Sequence, residues 1–340
     1  MPFTTPLIFR PLFMERVWGG HRLAAMPGKH APAAAPIGES WELVDRPDAQ
    51  SVVARGPLIG TTLHELWTVF RKDVFGAGVP DSPRFPLLAK ILDAQETLSV
   101  QVHPPAKLAA ELKGEPKTEM WYLLDAAKGA ELFAGFRRGT TRADFEQALA
   151  KGKLAELLHR VPVRAGDAMF IPSGRCHAIG AGCLIVEIQQ NSDTTYRVFD
   201  WNRTGLDGQP RALHVAESLA SIDFADHEPA LAQPAGETVA SCAEFRVEHW
   251  QLAAPRADTS ADGVIFTVLG GSVECGGERF GCGQFFILPA QATDRTLVPA
   301  APGAAVLRTS IPHRGPRAAP EWDSRPGLSE SDRPPRLSLS

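Results

Sequence analysis

Hydrophobic and polar positions alternate along much of this chain, in short runs that close on glycine or proline. "SWELVD", "ETLSVQVHP", "EMWYLLD", "AMFIPSG", "CLIVEIQQ", "FRVEHWQL" and "GVIFTVLGGSVEC" share this format and are rich in β-branched and aromatic residues. A period of two between turn residues predicts strands, and many short strands predict a sandwich or jelly roll. Two segments change period. In "TTLHELWTVFRKDVFG", Leu63, Leu66, Trp67 and Phe70 recur on one helical face behind threonines able to cap its start. In "TTRADFEQALAKGKLAELLHR", Phe145 stacks with Leu149, and Leu154 with Leu157 and Leu158, which extends a helical expectation to residue 158. The fold class expected is mainly β, with two jelly-roll domains and helical insertions in the first.

A chain of 340 residues exceeds one ordinary core and divides into about two domains. Periodicity fails in "ADHEPALAQPAGETVA", where Pro and Gly accumulate, so the linker is placed at 226–240. That leaves a first domain over 1–225 and a second over 241–312. The Pro-, Arg- and Ser-rich stretch 313–340 has the composition of a disordered tail. A weak internal repeat supports the division. "GDAMFIPSGRCH" and "GQFFILPAQATD" both run from a glycine (Gly166, Gly283) through five residues to a proline (Pro172, Pro289), but only the first continues to a histidine, His177. Chemistry is therefore expected in the first half alone.

Composition narrows the partners. With 35 basic against 39 acidic residues and a net charge of -4, the chain lacks the basic surface of a nucleic-acid binder. No apolar run approaches the roughly 20 residues needed to cross a membrane. The start, "MPFTTPLIFRPLF", is broken by Pro6, Arg10 and Pro11 and does not read as a signal peptide. Five cysteines at irregular spacing, with no CxxC pair, fit free thiols in a reducing cytoplasm.

Alternation also places the candidate chemistry. In "SVQVHP" it puts Ser99, Gln101 and His103 on one face and Val100 and Val102 on the other. Lys117 and Glu119 share a face at the entry to "EMWYLL", and His177 follows the Pro-x-Gly turn of "IPSGRCHAIGAG". Gln101, His103, Glu119 and His177 together offer two imidazoles, a carboxylate and an amide, a set suited to Zn²⁺ or a similar divalent ion with positions left open. Singly, each has a structural alternative: a hydrogen-bonded strand histidine or a salt-bridged carboxylate. Cys176 is a poor partner for His177, because neighbours in a strand face opposite ways. His21, His64 and His159 are read as surface or structural. A second cluster lies in "EIQQNSDTTYRVFDWNR": Glu187 and Gln189 alternate with Ile188, a turn follows through Asp193, and Arg197 and Arg203 lie beyond. A guanidinium there is either a surface group or a fork for a phosphate or enediolate oxygen.

These segments together resemble the type I phosphomannose isomerases, zinc-dependent cupins that interconvert mannose 6-phosphate and fructose 6-phosphate. The likeness is strongest to the compact bacterial branch. It runs over most of 1–312, through "RVWGG", "IGESWEL", "LSVQVHP", "GEPKTEMWY", "IPSGRCHAIGAG" and "EIQQNSDTTYRVFDWNR". The resemblance implies two cupin-type jelly rolls, and one Zn²⁺ per chain held by Gln101, His103, Glu119 and His177. Arg197 falls on the family's active-site arginine, with Asp193 four residues before it, and Ser99 and Lys117 fall on further active-site positions. Arg203 matches a basic residue six beyond the key arginine. A metal-bound water, Lys117 and Asp193 are the candidate bases. The implied partner is a hexose 6-phosphate, with no nucleic acid or membrane, and such a site is complete in a monomer. The tyrosine that larger relatives carry two residues after the last histidine is Ile179 here, so no role passes to it. Two alternatives stay open: an Fe(II) cupin oxygenase built on two histidines and a carboxylate, and a non-catalytic sugar-phosphate sensor.

Overall fold

The computed structural model describes residues 2–32 and 34–313, so the tail expected from 313 lies outside the described residues from 314 onward. The chain is mainly β, built as two sandwiches. In the first, a six-stranded sheet holds Leu12–Gly20, Ile37–Leu43, Leu87–Ala94, Cys183–Gln190, Glu119–Ala126 and Ala168–Ile171 in that spatial order. A five-stranded sheet faces it, ordered Tyr196–Phe199, Val100–Val102, His177–Ile179, Glu131–Phe136 and Leu158–Pro162. The second sandwich pairs a five-stranded sheet, ordered Thr238–Ser241, Arg246–Gln251, Ala305–Ser310, Val264–Gly270 and Phe285–Leu288, with a four-stranded one. Neighbouring strands within these sheets are antiparallel, as short turns require.

Strand Leu87–Ala94 is buried along its whole length, and the reason lies in how the units stack. Ala89, Ile91, Met120, Val186 and Ile188 point away from the first sandwich and share a core with Ile265, Phe285, Ile287 and Leu307 of the second. The opposite rows of the same strands point into the first sandwich. There Leu92, Trp121, Leu123 and Ile185 form an apolar core with Leu132, Ala134 and Ile179. One register step further along, the same inward rows carry Lys90, Glu119, Glu187 and Gln189, all buried. The interior of the first sandwich is thus apolar at one end and densely charged at the other, which places the site.

The N-terminal segment also ties the units, since Leu7 bridges Ile287. The first part of the expected linker is fastened to the first unit: Ala232 N–H donates to Ala168 O at 2.8 Å, and Asp226 pairs with Arg175. Both helical insertions form. Thr62 and Thr141 close capping boxes with Glu65 and Asp144 at the starts of Leu63–Thr68 and Arg142–Ala150. The second insertion ends earlier than its periodicity predicts: Gly152 at φ +67° breaks it, Leu154–Glu156 is a single 3₁₀ turn, and Leu158 already opens a strand. Phe136, Phe145 and Phe224 clamp this helix to the outside of the five-stranded sheet. Gly166 and Gly283, the starts of the internal repeat, both take left-handed φ before the strands Ala168–Ile171 and Phe285–Leu288. Among the described residues no helix is long and apolar enough to cross a membrane, and all five cysteines are free.

Candidate metal centre

Both sheets of the first sandwich contribute to the cluster. The five-stranded sheet sets His177 directly opposite Gln101, and Gln101 opposite Arg197. In the other sheet Glu119 lies across from Gln189 and Ile171. His103 stands one residue past strand Val100–Val102, on the same face as Gln101. Val100 and Val102 face the other way, into a core with Cys176 and Ala178.

His103, Glu119 and His177 are each 0% exposed, and their donor atoms lie within 4.8 Å of one another. His103 Nε2 is 3.6 Å from Glu119 Oε2, His177 Nε2 is 3.5 Å from Glu119 Oε1, and the Gln101 amide reaches within 3.2 Å of His177 Nε2. Each imidazole is oriented from behind. His103 Nδ1–H donates to Thr194 O at 2.8 Å and His177 Nδ1–H to Arg175 O at 2.9 Å, which turns both Nε2 lone pairs inward.

These inward atoms have few protein partners: the Gln101 amide reaches His177 Nε2, and the Lys117 ammonium pairs with Glu119 Oε2 at 3.1 Å. His103 Nε2 and Glu119 Oε1 are buried without a hydrogen bond, an arrangement that burial penalises by about 1–3 kcal/mol per group unless something binds there. Two neutral imidazoles and a carboxylate converging on one point are the donor chemistry of a divalent transition ion. Turning the Gln101 amide about its last bond would bring its oxygen into the same place. The residues therefore fit a metal.

The electrostatics agree. Burial disfavours the charged form of His177, and with His103 beside it the imidazole is held down at about 3. Burial and the Lys117 ammonium likewise keep His103 below its usual range. Burial alone would raise Glu119, but Lys117 and the two imidazoles hold it well below the usual carboxylate range. Neutral imidazoles beside an ionised carboxylate are the protonation states that a metal requires.

Around this centre runs a buried chain of alternating charge. Lys117 Nζ lies 3.1 Å from Glu119 Oε2 and 3.8 Å from Glu187 Oε1. Lys90 Nζ lies 3.0 Å from Glu187 and 3.9 Å from Glu39, and Arg16 closes the series on Glu39 at 2.9 Å. The Trp121 indole donates to Glu187, and the Trp41 indole to Glu39. Burial and the nearby Glu119 carboxylate push Glu187 up, the opposite direction from Glu119.

Ser99 is buried and its Oγ accepts from Arg197 Nε at 3.3 Å, while Arg197 Nη1 donates to Ala212 O at 3.0 Å. Arg203 is held by Asp200 at 3.0 Å and donates to Thr97 O at 2.6 Å, and Arg211 grips the same Asp200. Burial together with Arg211 lowers Arg197, a sign of crowded cations. Asp193 is exposed in the turn between the strands and takes part in none of these contacts. Ile179 is buried among apolar side chains. The Cys176 thiol is fully buried and pushed up by burial and Asp226, so it offers no nucleophile.

Reading the sequence assigned no role to Glu187, Lys90 or Glu39 in this network. The signal was there: each is an ionisable residue embedded in a strand that is buried along all or nearly all of its length, Lys90 within "LLAKILDA" most plainly.

Comparison with known proteins agrees with this architecture. The family model described as phosphomannose isomerase type I, catalytic domain, matches residues 7–134. The chain is 42% identical over 258 residues to mannose-6-phosphate isomerase ManA of Bacillus subtilis (strain 168), covering 73% of this chain and 80% of that one. It is 38% identical over 298 residues to a mannose-6-phosphate isomerase of Streptococcus mutans, covering 84% and 92%. The crystal structure of the mannose 6-phosphate isomerase from Bacillus subtilis superposes with a TM-score of 0.81 at 32% identity, over 91% of this chain and 100% of that one. With these identities and spans, the chain belongs to the type I phosphomannose isomerase family.

Proposed function

We propose that this protein is a zinc-dependent isomerase that interconverts mannose 6-phosphate and fructose 6-phosphate through an enediol(ate). The observation that carries the reading is the buried convergence of the His103, Glu119 and His177 donor atoms beside Gln101, with His103 Nε2 and Glu119 Oε1 left without a hydrogen bond. Relatives of this sequence bear the name of that activity.

Gln101, His103, Glu119 and His177 would hold one zinc ion. When bound, the ion supplies Lewis-acid stabilisation of negative charge on the sugar oxygens. The chain's own residues do the rest. The open-chain sugar enters with C1 and C2 beside the cluster. A base removes the C2 proton of the aldose and delivers it to C1 as the hydroxyl proton moves from O2 to O1, giving the ketose. Such transfers contribute typically about 10²–10⁴ in rate. Glu119 and Glu187 are pushed in opposite directions, which divides the labour: Glu119 stays ionised as a ligand, while Glu187 and Lys117 form the pair able to hold and pass a proton. Asp193 stands as the exposed alternative. Arg197, fixed by Ser99, meets the oxyanion or the phosphate with bidentate hydrogen bonds, and Arg203 adds charge beside it. An Fe(II) oxygenase would use the same histidines and carboxylate but leaves Gln101 and the arginines without a task.

Incubating the zinc-loaded protein with fructose 6-phosphate in D₂O tests the reaction. Mannose 6-phosphate labelled at C2 is expected. Zinc-bound protein that yields neither product nor label would favour the sensor reading, and oxygen uptake by Fe(II)-loaded protein would favour the oxygenase.

A further inference from the structure

The turn that delivers His177 is locked from outside by an ion pair that the chemistry above does not use. Arg175 and Asp226 face each other with side chains only 11% and 8% exposed. Arg175 Nε and Nη2 donate to the two oxygens of Asp226 at 2.7 and 3.0 Å, and Nη1 donates to Phe170 O at 2.6 Å. The planar fork therefore joins the end of strand Ala168–Ile171 to the segment after helix Val215–Ser221.

The locked piece of backbone touches the donor residues themselves. The carbonyl of Arg175 is the group that accepts His177 Nδ1–H. One residue earlier, Gly174 N–H donates to His103 O at 2.9 Å, and Gly174 O accepts from Asp223 N at 2.8 Å. Asp226 is itself pinned, its carbonyl accepting from Phe136 N at 2.9 Å. Any rotation of the Arg175 peptide would carry the His177 ring with it.

We propose that the Arg175–Asp226 pair is a positioning device for the metal centre: by fixing the Arg175 carbonyl it sets the tautomer and aim of His177, and so the affinity for the ion. This rests on the metal reading given above. Groups that orient metal ligands in this way typically change affinity by about 10–100-fold when removed.

The test compares zinc dissociation constants, measured by competition with a chelator, for the full-length protein and the variants Arg175→Gln, Asp226→Asn and Arg175→Lys. Thermal midpoints of the metal-free proteins and turnover per bound zinc are recorded alongside. Arg175→Gln and Asp226→Asn should weaken zinc binding by about 10–100-fold. Arg175→Lys, which keeps the charge but loses the fork, should fall between them and the unaltered protein, and turnover per bound zinc should change by only a few-fold. Arg308→Gln is the control. It breaks a comparable buried pair with Asp258 in the second sandwich and should lower the midpoint while leaving zinc affinity unmoved. Should Arg175→Gln fail to fold, Asp226→Asn, nearly identical in shape, decides the matter alone. Unchanged zinc affinity with a lowered midpoint, as in the control, would overturn the proposal. An unaltered protein that binds no zinc would overturn the metal reading instead.

Discussion

Lys117 and Glu119 meet at 3.1 Å inside the first sandwich, with the same ammonium 3.8 Å from Glu187. One lysine is thus shared between the carboxylate that faces both imidazoles and a second buried carboxylate of opposite tendency. Replacing Lys117 with methionine keeps its bulk and removes the shared charge. Turnover should fall by at least about 10²-fold while zinc content stays near one per chain. Turnover within a few-fold of normal would remove Lys117 from proton transfer.

Arg197→Ala should separate substrate handling from metal binding. The Arg197 side chain hydrogen-bonds to Ser99 and Ala212, away from the donor atoms of the cluster. The expected result is a loss of turnover of about 10²–10³-fold, the scale of a lost charge-stabilising donor. Metal analysis by inductively coupled plasma should read as in the unaltered protein. Unchanged turnover would exclude Arg197 from the mechanism.

Lys90 is the test of the buried charge chain. It stands between Glu187 at 3.0 Å and Glu39 at 3.9 Å and is almost fully enclosed. Lys90→Met leaves two carboxylates short of their cation, and removing one partner of a buried pair costs about 3–5 kcal/mol. Urea unfolding should show a midpoint lowered accordingly; a change under 1 kcal/mol, roughly the worth of a surface pair, would contradict the burial argument.

Acid should reveal Glu39. Burial raises its carboxyl, but Lys90, Arg16 and the Trp41 indole hold it down at about 2 against an ordinary 4.5. A carboxyl depressed on folding contributes stability that is fully present above its unfolded value and lost as pH falls through the folded one. The contribution, on the order of 3 kcal/mol, should disappear between about pH 4.5 and 2. Glu39→Gln should be less stable at neutral pH and should flatten the pH dependence across that window. An unchanged slope would mean that other groups carry it.

Much of the site could be read from alternation alone, because a period of two determines which residues share a face. It put Gln101 with His103, set Val100 and Val102 against them, and turned Cys176 away from His177; Val100, Val102 and Cys176 share one apolar core, while Gln101 and His103 gather at His177 on the other face. What alternation cannot show is the partner strand. Lys90 and Glu187 acquire meaning only through their register, across from one another in the six-stranded sheet. Strand Leu87–Ala94 is buried on one side by the interior of the first sandwich and on the other by the second sandwich, so its outer row of Ala89 and Ile91 reads as more core, and its lone lysine as noise. The helix boundary near Leu158 was obscured for a different reason. The leucine spacing continues past Gly152, and only the left-handed glycine and the pairing of Leu158 with Phe136 turn that leucine into the start of a strand.

If the enclosed His103–Glu119–His177 cluster, with Gln101, binds the ion on which isomerisation depends, activity must follow zinc content. Stripping the protein with a chelator and titrating zinc back, while following conversion of mannose 6-phosphate to fructose 6-phosphate in a coupled assay, tests it most directly. The stripped protein should show no conversion, and recovery should saturate at one zinc per chain. Full activity in metal-free protein, or recovery in a Glu119→Ala variant that binds no zinc, would contradict it.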